Sequence, residues 1–392
     1  SDVYKRQTNN DVTVTGLLAN VTYDLSAHLI NNADLSNSKI GLSATTRPTN
    51  FATNDISQNM TTNVVTTNSV TLSTKHKDVT GSLDISGYNL TYEVQGGNTD
   101  TGSVTKTATN KAATASNDDV TITSLQYPNA NYTVTAHLFN TKDMSNATVS
   151  RTAYTRPSDF VTSDVTQNTT TTTSSQLVLN VNNSQDANTL DISGYVIDYK
   201  GNDGVTSHDT SVTLTPTTKT SNATNNDVTV TGLLANVTYD LSAQLVNNVN
   251  LTNSKIGLSG TTRPSDFVAN DISQNIGSTT QTTLMMKVHN SQVTGSLNIN
   301  KYKFDVSGNN GENATSQTVE KVPVSKLANA INNDISLNDL SANTLYDLSA
   351  HIFNSQDLSN SKIGLSATTR PSDLVSNDIS QNIGETTQTT LM

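Results

Sequence analysis

Three histidines that recur at one position of a long internal repeat are the first residues considered for chemistry. His28, His137 and His351 each follow a tyrosine by five residues, and Gln244 stands at the same place in another copy. A zinc site needs about four ligands that converge on one point. One imidazole per copy, directed outward by strand alternation, cannot close such a site. The sequence therefore predicts solvent-facing strand residues and no metal site.

The other three histidines, His76, His208 and His289, lie in polar, loop-like stretches without a neighbouring Asp or Ser pattern. No GxSxG or HExxH motif and no repeated pair of carboxylates is present. No glycine-rich phosphate loop precedes a helical pattern, and the chain has no Cys. We predict no catalytic residue and no cofactor site, and we do not expect an enzyme in this sequence.

An aspartate follows each Arg-Pro pair by a few residues. Calcium held between two domains would need five or more oxygen ligands, and each of these places offers one or two carboxylates. A turn before a strand explains an aspartate equally well. The residues are Asp55, Asp164, Asp271 and Asp378.

Eleven Asn-X-Ser/Thr triplets occur, which is about the number that chance gives in a chain so rich in these residues. An exposed extracellular array could carry glycans on some of them. The candidate glycosylation sites are Asn20, Asn131, Asn182, Asn236 and Asn313.

The composition excludes several classes of partner. The net charge of −11 gives no counterion-release energy with a polyanion, so we expect no nucleic-acid partner. No apolar run reaches the roughly 18–20 residues of a membrane span, so we expect no membrane contact within this sequence. Only 33% of residues are hydrophobic and 14% are charged. Asn, Thr and Ser make up much of the remainder, which favours short strands with many turns.

A repeat of about 107 residues organises the chain. "TTRP" or "YTRP" ends at Pro48, Pro157, Pro264 and Pro371, at intervals of 109, 107 and 107. These marks define three complete copies, which we call copy A (49–157), copy B (158–264) and copy C (265–371). Residues 8–48 are the tail of an earlier copy, and residues 372–392 are the head of a later one.

The first seven residues, "SDVYKRQ", have no counterpart in the other copies. The twenty residues from Thr8 recur letter for letter from Thr224. We interpret residues 1–7 as a sequencing-adapter artefact, and we expect the natural protein to be longer at both ends.

Apolar residues alternate with polar ones throughout each copy. Leu177, Leu179 and Val181 share one face of one segment, and Tyr195 and Ile197 share a face of the next. This period of two is typical of strands with one buried and one wet face. We count about seven such strands per copy, so the sequence predicts an all-β sandwich.

Three segments of copy B then resemble the fibronectin type III family: "DISGYVIDY" (191–199), "VTVTGLLANVTYDLSAQLVNN" (228–248) and "NSKIGLSGTTRP" (253–264). The resemblance implies tandem seven-stranded antiparallel Greek-key sandwiches of the fibronectin type III or Ig-like kind. It also implies a tyrosine corner, in which a hydroxyl bonds back to the backbone, at Tyr23, Tyr132, Tyr239 and Tyr346. One departure is the family's buried Trp, which Thr74, Val181 and Val288 replace here.

Short linkers such as "RPSDF" join the copies, and proline stiffens them. We therefore predict a non-catalytic, semi-rigid stalk or filament-forming array of an extracellular or cell-surface fibre or adhesin. Its expected partners are copies of itself, other surface proteins, or glycan. The alternative is a spacer or accessory region of a secreted polysaccharide-degrading enzyme whose catalytic domain lies outside this sequence.

Overall fold

The computed structural model describes residues 11–61, 64–116, 118–224, 226–312, 314–331, 333–385, 387–388 and 390. The heptapeptide 1–7 and Asn313 lie outside these residues. The described part consists of strands joined by turns and loops, as Thr-rich strands and Asn-rich turns predict.

The strands run as follows. The tail of the first copy holds β1 (Thr22–Ala27) and β2 (Ile40–Thr45). Copy A holds β3 (Ile56–Gln58), β4 (Val70–Thr74), β5 (Ile85–Val94), β6 (Thr101–Thr107), β7 (Asp118–Ile122), β8 (Asn131–Asn140) and β9 (Val149–Tyr154). Copy B holds β10 (Val165–Gln167), β11 (Gln176–Val181), β12 (Ile192–Asn202), β13 (Ser207–Leu214), β14 (Asn226–Thr231), β15 (Thr238–Asn247) and β16 (Ile256–Thr261). Copy C holds β17 (Ile272–Gln274), β18 (Leu284–Val288), β19 (Ile299–Asn309), β20 (Ala314–Lys321), β21 (Asn333–Leu337), β22 (Leu345–Asn354) and β23 (Ile363–Thr368).

Each complete copy folds into two antiparallel sheets. In copy A a three-stranded sheet has the order β3-β4-β7, and a four-stranded sheet has the order β6-β5-β8-β9. Copies B and C repeat both orders with their own strands. The prediction of all-β, seven-stranded antiparallel sandwiches is therefore confirmed.

The core of each copy lies between its two sheets and follows the alternation read from the sequence. Leu177, Leu179 and Ile197 are each 0% exposed in copy B. Two fully buried tyrosines per copy supply the largest side chains of the described core. The small residues at the position of the family's Trp are buried as well; they are Thr74, Val181 and Val288.

The recurring tyrosines of the second-last strand all make one kind of contact. Each hydroxyl accepts a hydrogen bond from the backbone N–H five residues earlier, a short loop closure across the sheet end. The bonds are Leu18 N to Tyr23 Oη, 2.7 Å; Tyr127 N to Tyr132 Oη, 3.1 Å; Leu234 N to Tyr239 Oη, 2.8 Å; and Ser341 N to Tyr346 Oη, 2.8 Å. This is the geometry of a tyrosine corner.

Removing one of these hydroxyls should destabilise its own copy. Tyr239→Phe leaves the Leu234 N–H without its acceptor beside a ring that is 0% exposed. We expect copy B to lose about 1–3 kcal/mol of unfolding free energy, measured by urea titration. The control is Tyr199→Phe, whose ring packs edge-on against Tyr239 at 5.9 Å between centroids. Equal losses in the two variants would contradict a specific role for the corner bond.

Candidate functional site: the junctions between copies

Metal ligation and membrane spanning were the first two properties considered for the described residues. Among the described residues, no three His, Asp or Glu side chains are placed to hold a metal ion. The same part of the chain contains no helix with the length and hydropathy to span a bilayer.

The three recurring histidines do not share one environment. His28 is exposed, and His137 is half-buried with its Nε2 3.2 Å from Asn89 Nδ2. The prediction of a solvent-facing residue is wrong for His351, which is only 6% exposed. The ring centroids of His351 and Phe353 are 4.9 Å apart. The Lys301 ammonium lies over the Phe353 ring, 4.7 Å from its centroid. Burial by these neighbours lowers the pKa of His351.

His76 is buried, although it lies in a polar, loop-like stretch of the sequence. It is 4% exposed, and its Nε2 bonds to the hydroxyl of Tyr88. His208 packs edge-on against Tyr199, and His289 Nδ1 lies 3.8 Å from Asp271 Oδ1.

The aspartates that follow the Arg-Pro pairs cap turns. Asp164 Oδ2 accepts a hydrogen bond from Val161 N at 2.8 Å, and its Oδ1 accepts one from Ser184 Oγ at 2.7 Å. Asp55 caps Ala52 in the same way and pairs with Lys77 Nζ at 2.6 Å. Turn formation at the strand start therefore accounts for these carboxylates without a cation.

An asparagine three residues before the corner tyrosine lies at the contact between successive copies. Asn20, Asn129 and Asn236 are each 0% exposed and have φ of 59°, 54° and 59°. Asparagine tolerates this left-handed backbone better than most residues because its short amide bonds locally. The corner turn thus presents one amide outward from the end of each sandwich.

The junction between copies B and C shows how this amide is used. Asn236 Nδ2 donates to the carbonyl oxygen of Leu297 at 2.6 Å and to Ser296 Oγ at 3.0 Å. Leu297 N donates back to the carbonyl oxygen of Asn236 at 3.0 Å. Asn354 Nδ2 donates to Asn236 Oδ1 at 3.1 Å. One buried side chain therefore joins two loops of the next copy, and we call this arrangement the asparagine lock.

The asparagine lock recurs at the other two junctions. Asn129 Nδ2 donates to Leu190 O at 2.6 Å, and Asn247 Nδ2 donates to Asn129 Oδ1 at 2.9 Å. Asn20 makes the same pair of bonds, with Leu83 O at 2.5 Å and with Asn140 Nδ2 at 2.7 Å. Three successive junctions in the described part are therefore held by one set of contacts.

The lock residue is preformed by its own copy. Asn343 stands at the equivalent position of copy C, where it is exposed. It nevertheless has φ of 53°, and its N–H donates to Arg370 O at 2.9 Å. The backbone conformation is therefore set within the sandwich, and docking adds the side-chain bonds and the backbone bond to the asparagine carbonyl oxygen.

Glycines permit a second close contact at the same junctions. A Cβ on Gly204 would lie 2.6 Å from Gly295 Cα and 2.8 Å from Thr294 O. A Cβ on Gly96 would lie 2.5 Å from Asn188 O. The hairpin after the third strand of one copy thus touches the backbone of the next copy at a distance that excludes side chains.

Comparisons with known proteins were made for the whole chain. No protein-family model matches it, and no curated protein matches it. Among solved structures it is similar to the chicken CNTN1 FN1-FN3 domains, with 13% identity, a TM-score of 0.28, and coverage of 80% of this chain and 97% of that one. It is also similar to a two-domain fibronectin type III segment of chicken tenascin, with 13% identity, a TM-score of 0.27, and coverage of 53% and 98%.

The strand orders β3-β4-β7 and β6-β5-β8-β9, which repeat in each copy, are those of the fibronectin type III sandwich. Each complete copy therefore has the fold of a fibronectin type III domain, and the chain is a tandem array of such sandwiches.

The Arg-Pro linker between copies A and B is held by an ion pair. Arg156 donates to both carboxylate oxygens of Asp159, at 2.7 and 3.2 Å. This guanidinium lowers the pKa of Asp159 to about 2, and Ser254 N donates to the same carboxylate at 2.7 Å. The linker is therefore fixed to the body of copy B as well as stiffened by Pro157.

The structure corrects the glycosylation prediction at Asn20 and Asn236. Both are lock residues whose Nδ2 is buried and donates across the junction, so a glycan there is incompatible with the docked array. Asn131 and Asn182 are half-buried and stay candidate sites, and Asn313 lies outside the described residues.

Sequence reasoning missed the lock, although a signal for it was present. Asn129 and Asn343 are not in an Asn-X-Ser/Thr triplet, yet asparagine stands at this position in all four corners. Because the asparagine is present at all four corners and the glycosylation triplet at only two, glycosylation does not explain why asparagine recurs at this position.

Proposed function

We propose that this chain is a non-catalytic, semi-rigid structural array that acts as the stalk or filament-forming region of an extracellular or cell-surface fibre or adhesin. The asparagine lock at three successive junctions supports this proposal most directly.

The bonds of the asparagine lock are made by side chains that are fully buried at each junction. If a junction tilted so that the lock bonds broke while their groups stayed out of reach of water, each unpaired amide or carbonyl group would cost about 1–3 kcal/mol. The same donors and acceptors recur at each junction, so each step should have nearly the same rotation and rise. Adding a copy then lengthens the rod without changing its character.

The surface chemistry suits weak contacts repeated along a rod. Such an array can gain avidity from many identical sites without strong binding at any one of them. We propose copies of the same chain, other surface proteins, or glycan as partners, outside the cell or at its surface.

A spacer of a secreted polysaccharide-degrading enzyme is the second candidate, because a locked junction serves a spacer equally well. Direct binding of sugar rings by stacking on aromatic side chains is less favoured, because the two core tyrosines of each copy are fully buried. Sequencing the natural gene beyond both ends separates the two, because an adjoining hydrolase domain would favour the spacer.

Electron microscopy of the isolated chain tests rigidity itself. We expect straight rods with about 35–40 Å per domain, the length that strands of this size give a sandwich. Particles that bend freely at each junction would contradict the proposal.

A further inference from the structure

The last strand of copy B has one edge that pairs with no other strand in the described part of the chain. β16 stands at the end of its sheet and pairs only with β15. At its far end Gln167 Nε2 donates to Thr261 O at 2.7 Å, and Gln167 Oε1 accepts from Thr261 N at 2.9 Å. Thr261 therefore directs its backbone groups away from β15, and alternation directs those of Gly257 and Ser259 the same way.

The last strand of copy C repeats this arrangement. β23 stands at the end of its sheet, and Gln274 bonds to the carbonyl oxygen and the N–H of Thr368 at 2.8 and 3.1 Å. Gly364 and Ser366 are exposed and stand where copy B has its exposed glycine and serine. These two stretches, which we call the open edges, are residues 257–259 and 364–366.

Copy A closes the same edge with an arginine. Arg151 stands at the centre of this stretch, where copies B and C have Leu258 and Leu365. Its Nε donates to Ile56 O at 3.2 Å, which ties the last strand of copy A to its first strand. Its Nη1 donates to Ser150 O at 2.8 Å, which is one of the edge carbonyls. A charged side chain at an edge is one way in which proteins prevent pairing between chains.

Two charged residues accompany the open edges and are missing from copy A. Copies B and C have an aspartate on the neighbouring strand and a lysine just before the edge, and copy A has threonine at both places. The residues are Asp240 and Lys255 in copy B, Asp347 and Lys362 in copy C, and Thr133 and Thr148 in copy A. The two lysines bond to Asp198 and Asp305 of their own copies, yet their side chains stay 51% and 57% exposed.

The open edge is complementary to itself. If two such strands lie antiparallel with Leu258 facing Leu258 of a second chain, Gly257 lies opposite Ser259 of that chain. Each of the two glycine–serine pairs can then exchange two backbone hydrogen bonds. The outer side chains are small and leave room for the approach, and on the inner face the half-buried leucines meet and extend the core. Copies B and C share the sequence Ile-Gly-Leu-Ser here, so either edge can pair with either.

The charged residues favour the same register. Lys255 of one chain lies diagonally across from Ser259 of the other, within reach of a long side chain. Asp240 stands directly opposite Ser259 on the neighbouring strand of the same copy. The pairing therefore brings the lysine of each chain towards the aspartate of the other, and copy A has neither residue.

We propose that the open edges of copies B and C join two copies of this chain side by side, as antiparallel strands of one continuous sheet. The inference rests on the filament-forming role proposed above and names the surface through which chains associate. A strand pair this short buries much less than the roughly 1,000 Å² that a stable interface needs. One edge therefore binds weakly, and lasting association depends on several edges along the array.

The absence of Cys allows a direct test in the full chain. Leu258→Cys and Leu365→Cys are made in separate chains, because facing residues of this kind lie about 4.5 Å apart, which a disulfide can span. Each chain is oxidised alone and in an equal mixture, and the rate of dimer formation is measured. The matched control is Thr152→Cys, which lies on the equivalent edge of copy A, is more exposed, and keeps Arg151 in place.

We expect dimers to form at least about tenfold faster through positions 258 and 365 than through position 152. Each rate is first divided by the rate at which a small thiol reagent labels the same position. Dimers from one variant alone indicate pairing of like edges, and dimers from the mixture alone indicate pairing of copy B with copy C. Equal corrected rates at all three positions would overturn the proposal.

A second pair of variants tests whether the backbone of the edge makes the contact. Ser259→Pro and Ser366→Pro, added to the two cysteine chains, each remove one outward N–H that makes no bond within its own copy. We expect the rate of dimer formation to fall to that of position 152. An unchanged rate would mean that the chains meet elsewhere and would overturn the proposal. If the proline variants do not fold, the comparison of the three cysteine positions still decides.

Electron microscopy of the same samples separates this inference from the proposed function. Straight single rods that form no dimers would overturn the edge pairing and leave the proposed stalk intact. Rods that bend freely at each junction would contradict the proposed function, whatever the rate of dimer formation.

Discussion

Replacing Asn236 by alanine is expected to turn the junction between copies B and C into a hinge while both domains stay folded. The change removes the bonds to Leu297 and Ser296 and leaves the Asn354 amide without its acceptor. It also places alanine at φ of 59°, which costs about 1 kcal/mol. This strain is the same whether or not the copies are docked, so it lowers the stability of copy B and leaves docking unaffected. The lost bonds should weaken docking by about 2–4 kcal/mol, or roughly 30- to 1,000-fold in the docking equilibrium.

Small-angle X-ray scattering measures this result as a shorter maximum dimension and a broader distribution of distances. Asn343→Ala is the matched control, because Asn343 has the same backbone conformation but is exposed. It should carry the same backbone strain and leave the scattering of the chain unchanged. An unchanged profile for Asn236→Ala would mean that the linker alone holds the angle.

Substituting Gly204 by alanine should force the same junction apart by steric contact. The new Cβ would lie 2.6 Å from Gly295 Cα and 2.8 Å from Thr294 O. Both contacted atoms belong to the backbone, so no change of side-chain rotamer can relieve the contact. Real Cβ atoms do not approach so closely, so the two copies must separate or tilt. We expect a change in the scattering profile comparable to that of Asn236→Ala.

Gly311→Ala separates this clash from backbone strain. Gly311 stands at the equivalent turn of copy C with φ of +93°, against +88° for Gly204, and nothing lies within 4 Å of its ideal Cβ. Both variants should lose a similar unfolding free energy of about 1–2 kcal/mol from strain. Only Gly204→Ala should change the scattering, and the same scattering from both would contradict the close contact.

A junction of this kind combines a polar lock with a steric one. The asparagine supplies direction, because its amide must meet a carbonyl and a second amide in fixed positions. The glycine pair supplies proximity, because it lets two backbones meet. Loss of either should make the array flexible at one point and leave the remaining junctions rigid.

The fold could be predicted from the sequence because its determinants are local. Alternation along Leu177, Leu179 and Val181 places each side chain on one face of a strand, whatever the partner strand. The corner at Tyr239 was implied by the resemblance to the fibronectin type III family, and its contact is also local, because it spans five residues. Because the copies are similar in sequence, the strand faces assigned in one copy could be assigned at the equivalent positions of the others.

The sequence was less informative about individual polar residues. Alternation placed His351 on an outer face, but Phe353 and Lys301 cover that face. His76 looked unpaired because Asp118 is 42 positions away and meets it only through Tyr88. The environment of a side chain on a wet face depends on which long neighbours lie over it.

What the sequence by itself determined was the all-β class, the period of about 107 residues, the buried faces of the strands and the absence of a catalytic motif. Only the tertiary structure showed that Asn20, Asn129 and Asn236 join successive domains. The lock bonds connect residues 63 and 120 positions apart at the first junction. Strand periodicity fixes which way a side chain points, but the docking of two sandwich ends depends on loops that come together only after both domains have folded.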